Sequence, residues 1–321
     1  MEGRLNLSKW SKKRKWLTIL LSVFGAFFIG ISIYAYTLYS SVERTIESIH
    51  EPIERVVSEK RVEEVQFEEQ DPISVLILGV DERKNDRGRS DTMIVMTVNP
   101  STKSMQMVSI PRDTRTEIIG RGFDDKINHA YAFGGVEMAM DTVENFLDIP
   151  IDYFVKVNME GFQDIVDAVG GVTVNNGFAF DYSGYTFNEG EITLDGKKAL
   201  AYSRMRYEDP RGDFGRQDRQ KQIIQAVIEE GASFSSISKF DDMLSIIGQN
   251  VKTNLTLSEM FDIQKNYKDA RHSLEKLQVS GSGQKINGIY YLIVPEETRI
   301  GLSTKLKEHL NVNNSAVTKK N

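Results

Sequence analysis

The chain has 321 residues, of which 40% are hydrophobic, so it is long enough to bury one large core or two small ones. It contains no cysteine, which excludes disulfides, thiolate metal sites and cysteine nucleophiles. The formal net charge is −6, but six basic residues lie within the first 15 positions, so the rest of the chain is strongly acidic and nucleic acid is disfavoured as a partner.

A long apolar stretch follows the basic N-terminus, with no charged residue between Trp16 and Val42. A stretch of this length can cross a hydrocarbon core about 30 Å thick, and a basic flank is typical of the cytoplasmic side. The pattern predicts a cytoplasmic tail over residues 1–15 and a transmembrane helix over residues 16–39. A cleaved signal peptide is the alternative, but the apolar stretch is long for one and no small-x-small cleavage site follows it.

Residues 40–71 are rich in glutamate and are predicted to form an extracellular stalk or linker. Ile46, Ile49 and Ile53 recur at helical spacing, which favours a short helix at its start. Their apolar stripe is equally typical of a small oligomer seam. Residues 63–71 are then expected to be a solvated linker.

Three apolar runs bounded by Pro, Gly or Asn come next, and they predict strands over residues 73–79, 92–98 and 105–110. Because the link at 99–103 is short, the second and third strands are expected to form an antiparallel hairpin.

Helices and strands alternate beyond this hairpin. Helices are predicted over 135–147 and 159–169 and strands over 153–157 and 172–174, while the segment 244–261 and a strand over 290–294 complete the domain. This order predicts an α/β domain over residues 72–310, with a mixed central sheet layered between helices, followed by a disordered tail over residues 311–321.

Between positions 204 and 219 the chain carries five arginines and no lysine. A guanidinium group is planar, always charged and able to donate two parallel hydrogen bonds to phosphate oxygens. The cluster therefore predicts a site that holds phosphoryl groups in a fixed geometry. An internal salt-bridge network with the interleaved acidic residues is the alternative.

The local pattern suggests how these arginines are arranged. Residues 199–206 are predicted to be a strand or its end, which would place Arg204 and Arg206 on one face. Asp213 is predicted to cap a helix over 215–230, in which Arg216 and Gln220 share the stripe of the apolar residues and point inward. The free N–H groups of a helix N-terminus would add to their attraction for an anion.

Carboxylates and a further arginine lie at the ends of the predicted strands. Asp81 follows the first strand, Asp91 precedes the second, and Arg112 follows the third. If the strands pair, Asp81 and Asp91 lie at one sheet edge, where they could bind Mg²⁺ together with phosphate oxygens and water. Alternatively, Asp91 caps a turn and Asp81 is a solvated loop residue. Lys126, Asn128 and Tyr131, beside a predicted helix start, either complete the cleft or simply line a loop.

Eight ordered motifs between about residues 72 and 260 resemble those of the LytR-CpsA-Psr family, which also has an N-terminal membrane anchor. They lie at residues 75–81, 89–92, 109–113, 126–132, 170–172, 194–196, 199–206 and 212–220. The resemblance implies a membrane-anchored enzyme outside the cell that transfers an anionic glycopolymer, wall teichoic acid or capsular polysaccharide, from a polyprenyl-pyrophosphate carrier to peptidoglycan as a phosphodiester. Its expected partners are the carrier-linked polymer, peptidoglycan and the cytoplasmic membrane.

The same resemblance implies roles for individual residues. Asp81 and Asp91 would hold Mg²⁺, for which Mn²⁺ is a substitute, and either Asp91 or Asp113 would act as general base. The expected catalytic set is Arg112, Arg204, Arg206 and Asp91, and the expected pyrophosphate-binding set is Arg112, Arg204, Arg206, Arg216, Arg219 and Gln220. Two rival functions stay open: a non-catalytic module that binds carrier lipid or wall polymer, and a pyrophosphatase that releases the polymer.

Overall fold

The computed structural model describes residues 12–55, 57–61, 63–81, 88–231 and 250–312. The helices are α1 (Lys12–Ile49), α2 (His129–Leu147), α3 (Met159–Ala168), α4 (Gly196–Arg204), α5 (Asp213–Gly231), α6 (Leu257–Asn266) and α7 (Glu296–His309). The strands are β1 (Ile73–Val80), β2 (Ser90–Asn99), β3 (Ser104–Ser109), β4 (Arg115–Ile118), β5 (Phe123–Lys126), β6 (Tyr153–Asn158), β7 (Val172–Asn176), β8 (Phe180–Tyr182), β9 (Tyr185–Phe187), β10 (Gly190–Leu194), β11 (Val251–Thr253), β12 (Leu274–Gln278), β13 (Ser282–Ile286) and β14 (Ile289–Ile293).

A six-stranded mixed sheet forms the centre, with the strand order β11-β6-β1-β2-β3-β12. Strand β2 is antiparallel to both β1 and β3, as the short link between β2 and β3 predicts. Strands β6 and β12 run parallel to β1 and β3 respectively, and β11 is antiparallel to β6. The C-terminal ends of β1, β3 and β6 and the N-terminal end of β2 therefore lie along one edge of the sheet.

Both faces of the sheet are covered, which explains why its central strands are almost continuously apolar. Leu76, Leu78 and Val80 of β1 pack into a core with α2 and α7, whereas Ile73 and Val75 face a second core that includes side chains of α5 and α6. The chain is thus an α/β domain with a mixed central sheet flanked by helices, as predicted.

A third core joins α3, α4 and α5 to the small sheets β7–β10 and β8–β9. Aromatic rings fill its centre: the ring centroid of Phe180 lies 4.9 Å from that of Phe187 and 5.7 Å from that of Tyr202. This core fixes α4 and α5 to each other, and with them the arginine-bearing loop that connects the two helices.

The prediction of a strand over residues 199–206 is wrong, because residues 196–204 form helix α4. The Asp195 side chain accepts a hydrogen bond from the backbone N–H of Lys198 and so caps the helix. Ala199 and Tyr202, three residues apart, are buried on its inner face. Arg204 therefore ends a helix and Arg206 lies in the following loop, so they do not share a strand face.

The predicted linker also differs from the structure, since the segment after α1 packs on the domain. Helix α1 ends at Ile49, and His50 forms a parallel bridge with Thr253 of the edge strand β11. Arg61 donates to Asp152 at 2.5 Å, and both side chains are less than 10% exposed. Phe67, in a short 3₁₀ helix, is buried beside Tyr153. Residues 63–71 are therefore part of the folded domain.

Within the part of the chain that the structure describes, no helix is both long enough and apolar enough to cross a membrane. Helix α2 begins at His129, six residues before its predicted start, and turns at Gly135, whose φ is 71°. Parts of four predictions lie outside the described residues: positions 1–11 of the N-terminal tail, 56 and 62 of the stalk or linker, 244–249 of the segment 244–261, and 313–321 of the C-terminal tail.

Candidate functional site

The sheet edge brings together the carboxylates that the sequence singled out. Val80 of β1 pairs with Ser90 of β2, but the preceding Gly79 pairs with Thr92, so Asp91 is the extra residue of a β-bulge. Asp81 follows directly, and its backbone N–H donates to the carbonyl of Arg89 at 3.4 Å. A Cβ at position 79 would lie 2.9 Å from Cβ of Thr92, so glycine is needed for this close approach.

Arg112 joins this edge from the end of β3. Its Nη1 donates to Oδ1 of Asp91 at 2.8 Å, and its Nε lies 3.8 Å from Oδ2 of Asp113. Lys126 donates to the other Asp113 oxygen at 2.6 Å. Burial opposes the charge of Arg112, but the carboxylates of Asp91, Asp113 and Asp213 together hold the pKa of its guanidinium above the ordinary value. Arg112 is thus fully charged and held at the sheet edge by acidic neighbours.

Asp213, the first residue of α5, connects the arginine segment to the sheet edge. Its Oδ1 lies 2.9 Å from Nη2 of Arg216 and 3.8 Å from Nε of Arg206, and its charge also raises the pKa of Arg112. Two guanidinium groups therefore pair with one carboxylate, whose charge also acts on Arg112. The sequence predicted Asp213 only as a helix cap. Its spacing of three residues from Arg216 was the available signal for this pair.

Several buried polar atoms near this point have no hydrogen-bond partner among the described residues. They are Nε of Arg216, Oγ of Ser109 at the end of β3, and Oδ1 of Asn128, whose backbone N–H donates to the carbonyl of Arg112. A buried polar group left unpaired costs about 1–3 kcal/mol. The three atoms belong to the end of β3, to the N-cap residue of α2 and to the first turn of α5.

Arg219 lies apart from this set, because its donors are used inside the protein. The guanidinium is buried and donates to the carbonyl of Tyr202 at 3.1 Å, to that of Met205 at 2.5 Å and to the Asp209 carboxylate at 2.6 Å. Arg211 also pairs with Asp209, at 3.2 Å. For Arg211 and Arg219 the structure therefore shows the salt-bridge network that was the alternative to phosphoryl binding.

The remaining candidates flank the Asp213 cluster. Arg204 is exposed at the C-terminal end of α4, where a cation is favourable because of the helix dipole. Gln220 is partly buried on α5, one turn after Arg216. Among the described residues, Asp213 forms ion pairs with Arg206 and Arg216, and its charge raises the pKa of Arg112. Arg204 and Gln220 form no such pair with it.

The donor set at the sheet edge fits a hard divalent cation. Asp81 and Asp91 are neighbouring carboxylates, and Mg²⁺ is usually bound by one or two carboxylates plus phosphate oxygens and water. Across residues 12–55, 57–61, 63–81, 88–231 and 250–312, no group of three or more His, Asp or Glu side chains forms a complete protein-only metal site.

Relatives of known identity match most of the chain. A model of the LytR-CpsA-Psr family matches residues 36–308. The polyisoprenyl-teichoic acid–peptidoglycan teichoic acid transferase TagU of Bacillus subtilis is 57% identical over 299 residues, which are 93% of this chain and 97% of the relative. TagU of Bacillus cereus is 54% identical over 301 residues, 94% of this chain and 99% of the relative.

Solved structures match as well. The crystal structure of B. subtilis TagU gives a TM-score of 0.62 at 58% identity and covers 75% of this chain and 97% of its own. The LytR-CPS2A-psr family protein YwtF (TagT) with bound octaprenyl pyrophosphate lipid gives 0.67 at 30% identity, over 82% of this chain and 100% of its own. Because the family model covers most of the chain and the relatives are more than half identical, this chain belongs to the LytR-CpsA-Psr family.

Proposed function

We propose that this chain transfers an anionic glycopolymer from a polyprenyl-pyrophosphate carrier to peptidoglycan and forms a phosphodiester. The observation that carries the proposal is that Arg206 and Arg216 pair with Asp213, whose charge also acts on Arg112 at the sheet edge. Relatives support it: the TagU proteins are named teichoic acid transferases, and TagT has been solved with octaprenyl pyrophosphate and, separately, with the ligand LI-WTA.

The arginines account for most of the chemistry. Two or three guanidinium groups around a pyrophosphate neutralise its charge and stabilise the negative charge that develops on the leaving polyprenyl phosphate. A hydroxyl of the acceptor sugar attacks the sugar-linked phosphorus, its new P–O bond forms, and the bond to the polyprenyl phosphate breaks. Either Asp91 or Asp113 takes the hydroxyl proton, and the contact of both carboxylates with Arg112 supports this role.

We further propose that Asp81 and Asp91 hold Mg²⁺, or Mn²⁺ in its place, when the carrier is bound. Such an ion would neutralise phosphate charge alongside the arginines. Asp91 is hydrogen-bonded to Arg112 in this structure. This contact and the place of Asp81 at the end of the paired strand β1 support the proposal, in which phosphate oxygens would complete the ligand set.

The proposed location is the cytoplasmic membrane, with the N-terminus inside and the α/β domain outside. The sequence supports this location, because residues 16–42 carry no charge and follow a basic flank. Large apolar side chains of α1 are also exposed on the surface of the chain. Trp16 is 73% exposed and Phe27 is 62% exposed. A surface of this kind is favourable only when something apolar covers it.

The test is product analysis with the full chain in detergent. The protein is incubated with a lipid-linked teichoic acid precursor and soluble peptidoglycan fragments. Polymer joined covalently to the fragments supports the transferase. Free polymer phosphate would instead identify a pyrophosphatase, and unchanged substrates that nonetheless bind would identify a carrier-binding module.

A further inference from the structure

One aromatic side chain stands out at the rim of the arginine site. Tyr207 is 90% exposed, more than any other large hydrophobic residue that the structure describes. It directly follows Arg206, whose guanidinium carbon lies 5.8 Å from the centre of the Tyr207 ring. Because Arg206 also approaches Asp213, the ring lies next to the place where the proposed pyrophosphate would bind.

The loop that carries Tyr207 is held in place by hydrogen bonds to buried side chains. Asp209 is buried, accepts from Arg219 at 2.6 Å and receives the backbone N–H of Arg211 at 2.8 Å, and its carbonyl accepts from Gly212 at 2.8 Å. Arg219 in turn donates to the carbonyl of Met205, at the other end of the loop. The exposed ring is thus presented by a fixed support, and an ordered platform loses little entropy when it binds a ligand.

The chemistry of the site narrows down what this ring would contact. The phosphates bound by Arg206 are followed on one side by a sugar of the donor polymer, and a sugar of the acceptor must approach the same phosphorus. The C–H groups on one face of a sugar ring are apolar and slightly positive, so they pack favourably on the negative face of an aromatic ring. Tyrosine also keeps a hydroxyl in water at its edge, which suits an exposed position.

We propose that Tyr207 is a stacking platform for a sugar ring beside the reacting phosphorus, and that this ring belongs to the acceptor glycan of peptidoglycan. The inference rests on the proposed transferase function and adds a site for its second substrate. The donor is already held through its pyrophosphate by the arginines. The acceptor has no pyrophosphate for the arginines to bind. An ordered aromatic surface at the rim would supply the binding contact for the acceptor.

The test compares Tyr207→Ala and Tyr207→Phe in the full chain in detergent. Tyr290→Ala is the matched control, because Tyr290 is a 46% exposed tyrosine on β14, outside the arginine loop. Calorimetry measures the affinity for soluble glycan strands released from peptidoglycan, and kinetics give separate KM values for these strands and for the lipid-linked donor. Melting temperature checks folding, which should be unchanged because the Tyr207 side chain is so exposed.

The expected result is that Tyr207→Ala weakens glycan binding about three- to tenfold, the range of an aromatic stacking contact, and raises the KM for the glycan alone. Tyr207→Phe and Tyr290→Ala should bind as the unmodified chain does. An alanine variant that loses affinity for the donor and keeps it for the glycan would overturn the acceptor assignment. Unchanged affinity for both substrates, or an equal loss in the phenylalanine variant, would overturn the stacking platform.

Failure of the transferase proposal gives a different result. If the unmodified chain binds glycan strands through Tyr207 but yields no polymer joined to peptidoglycan, the proposed reaction is wrong and the sugar platform is upheld.

Discussion

Two arginines that look alike in the sequence have opposite surroundings in the structure. Arg112 is about one-third exposed and pairs with a partly exposed carboxylate, whereas Arg219 is almost fully buried and pairs with the fully buried carboxylate of Asp209. The first arrangement leaves a guanidinium able to turn to a ligand. The second uses donors on all three of its nitrogen atoms to hold the chain together. The distinction between ligand binding and folding can therefore be tested one residue at a time.

We expect Arg112→Ala to lower the affinity for the lipid pyrophosphate by about 1.5–3 kcal/mol, the scale of a charge-assisted hydrogen bond, with little change in melting temperature. Arg112→Lys should restore only part of the affinity, because an ammonium keeps the charge and loses the two-donor fork. Ligand titration and thermal unfolding of the same variants give both quantities.

Arg219→Ala is the contrasting variant. It leaves the buried Asp209 charge poorly compensated, so the free energy of unfolding should fall by about 3–5 kcal/mol. The ligand affinity of the remaining folded protein should stay close to normal. If Arg112→Ala instead lowers the melting temperature and leaves the ligand affinity normal, the assignment of Arg112 to ligand binding and of Arg219 to folding would be reversed.

Asp209 predicts a specific pH dependence of stability. Burial opposes its ionisation, but hydrogen bonds from the Arg211 backbone and from the Arg219 and Arg211 side chains hold its pKa below the ordinary value of 3.8. A carboxyl with a lowered folded-state pKa contributes stability that is complete above its unfolded pKa and is lost as the pH falls through the folded value. Denaturant unfolding of the wild type and Asp209→Asn should therefore differ by a constant amount from pH 7 to about pH 5, and the difference should shrink below pH 3.8. A difference that grows on acidification would contradict the ionised pair.

Among the helices and strands, the sequence predicted those whose ends are marked by a local residue pattern. Strands β1, β2 and β3 were placed within two residues, because apolar runs end at Pro, Gly or Asn. Helix α4 was missed, because the alternation in Ala199–Ser203 imitates a strand while its burial depends on packing against distant elements. The role of Asp213 was missed for a similar reason, since its approach to Arg206 depends on the loop between α4 and α5, two helices that the third core holds together.

The helix cap at Asp195 should affect ligand binding as well as stability. Asp195→Ala removes the acceptor for the Lys198 N–H and should cost about 1 kcal/mol of unfolding free energy. Because α4 leads into the arginine loop, affinity for the lipid pyrophosphate should fall too. Thr256→Ala is the control: Thr256 caps α6 through the Glu259 N–H, and α6 carries no site arginine. Equal losses of affinity in both variants would show that the effect is general destabilisation.

For the molecule as a whole, the boundary predicted at residue 72 cuts through folded structure. A chain starting at residue 72 loses the buried Phe67 side chain, worth about 1.5–3 kcal/mol, and leaves Asp152 without its Arg61 partner. We expect a chain starting at residue 50 to unfold at clearly higher denaturant concentration than one starting at residue 72. Coinciding unfolding curves would show that residues 50–71 add nothing to stability.

The bridge between His50 and Thr253 limits how far the domain can lie from the end of α1. Thr253 of β11 pairs with β6 on one side and with His50 on the other. Neighbouring strands lie about 4.8 Å apart, so three spacings, roughly 14 Å across the sheet, separate the point where the chain leaves α1 from β1, the strand that Asp81 follows. Under the proposed anchoring, the domain works on a short, stiff tether. The carrier's phosphates would then bind close to the lipid surface while its prenyl chain stays in the bilayer. The polymer and the acceptor strand of the wall would have to approach the membrane to reach the site.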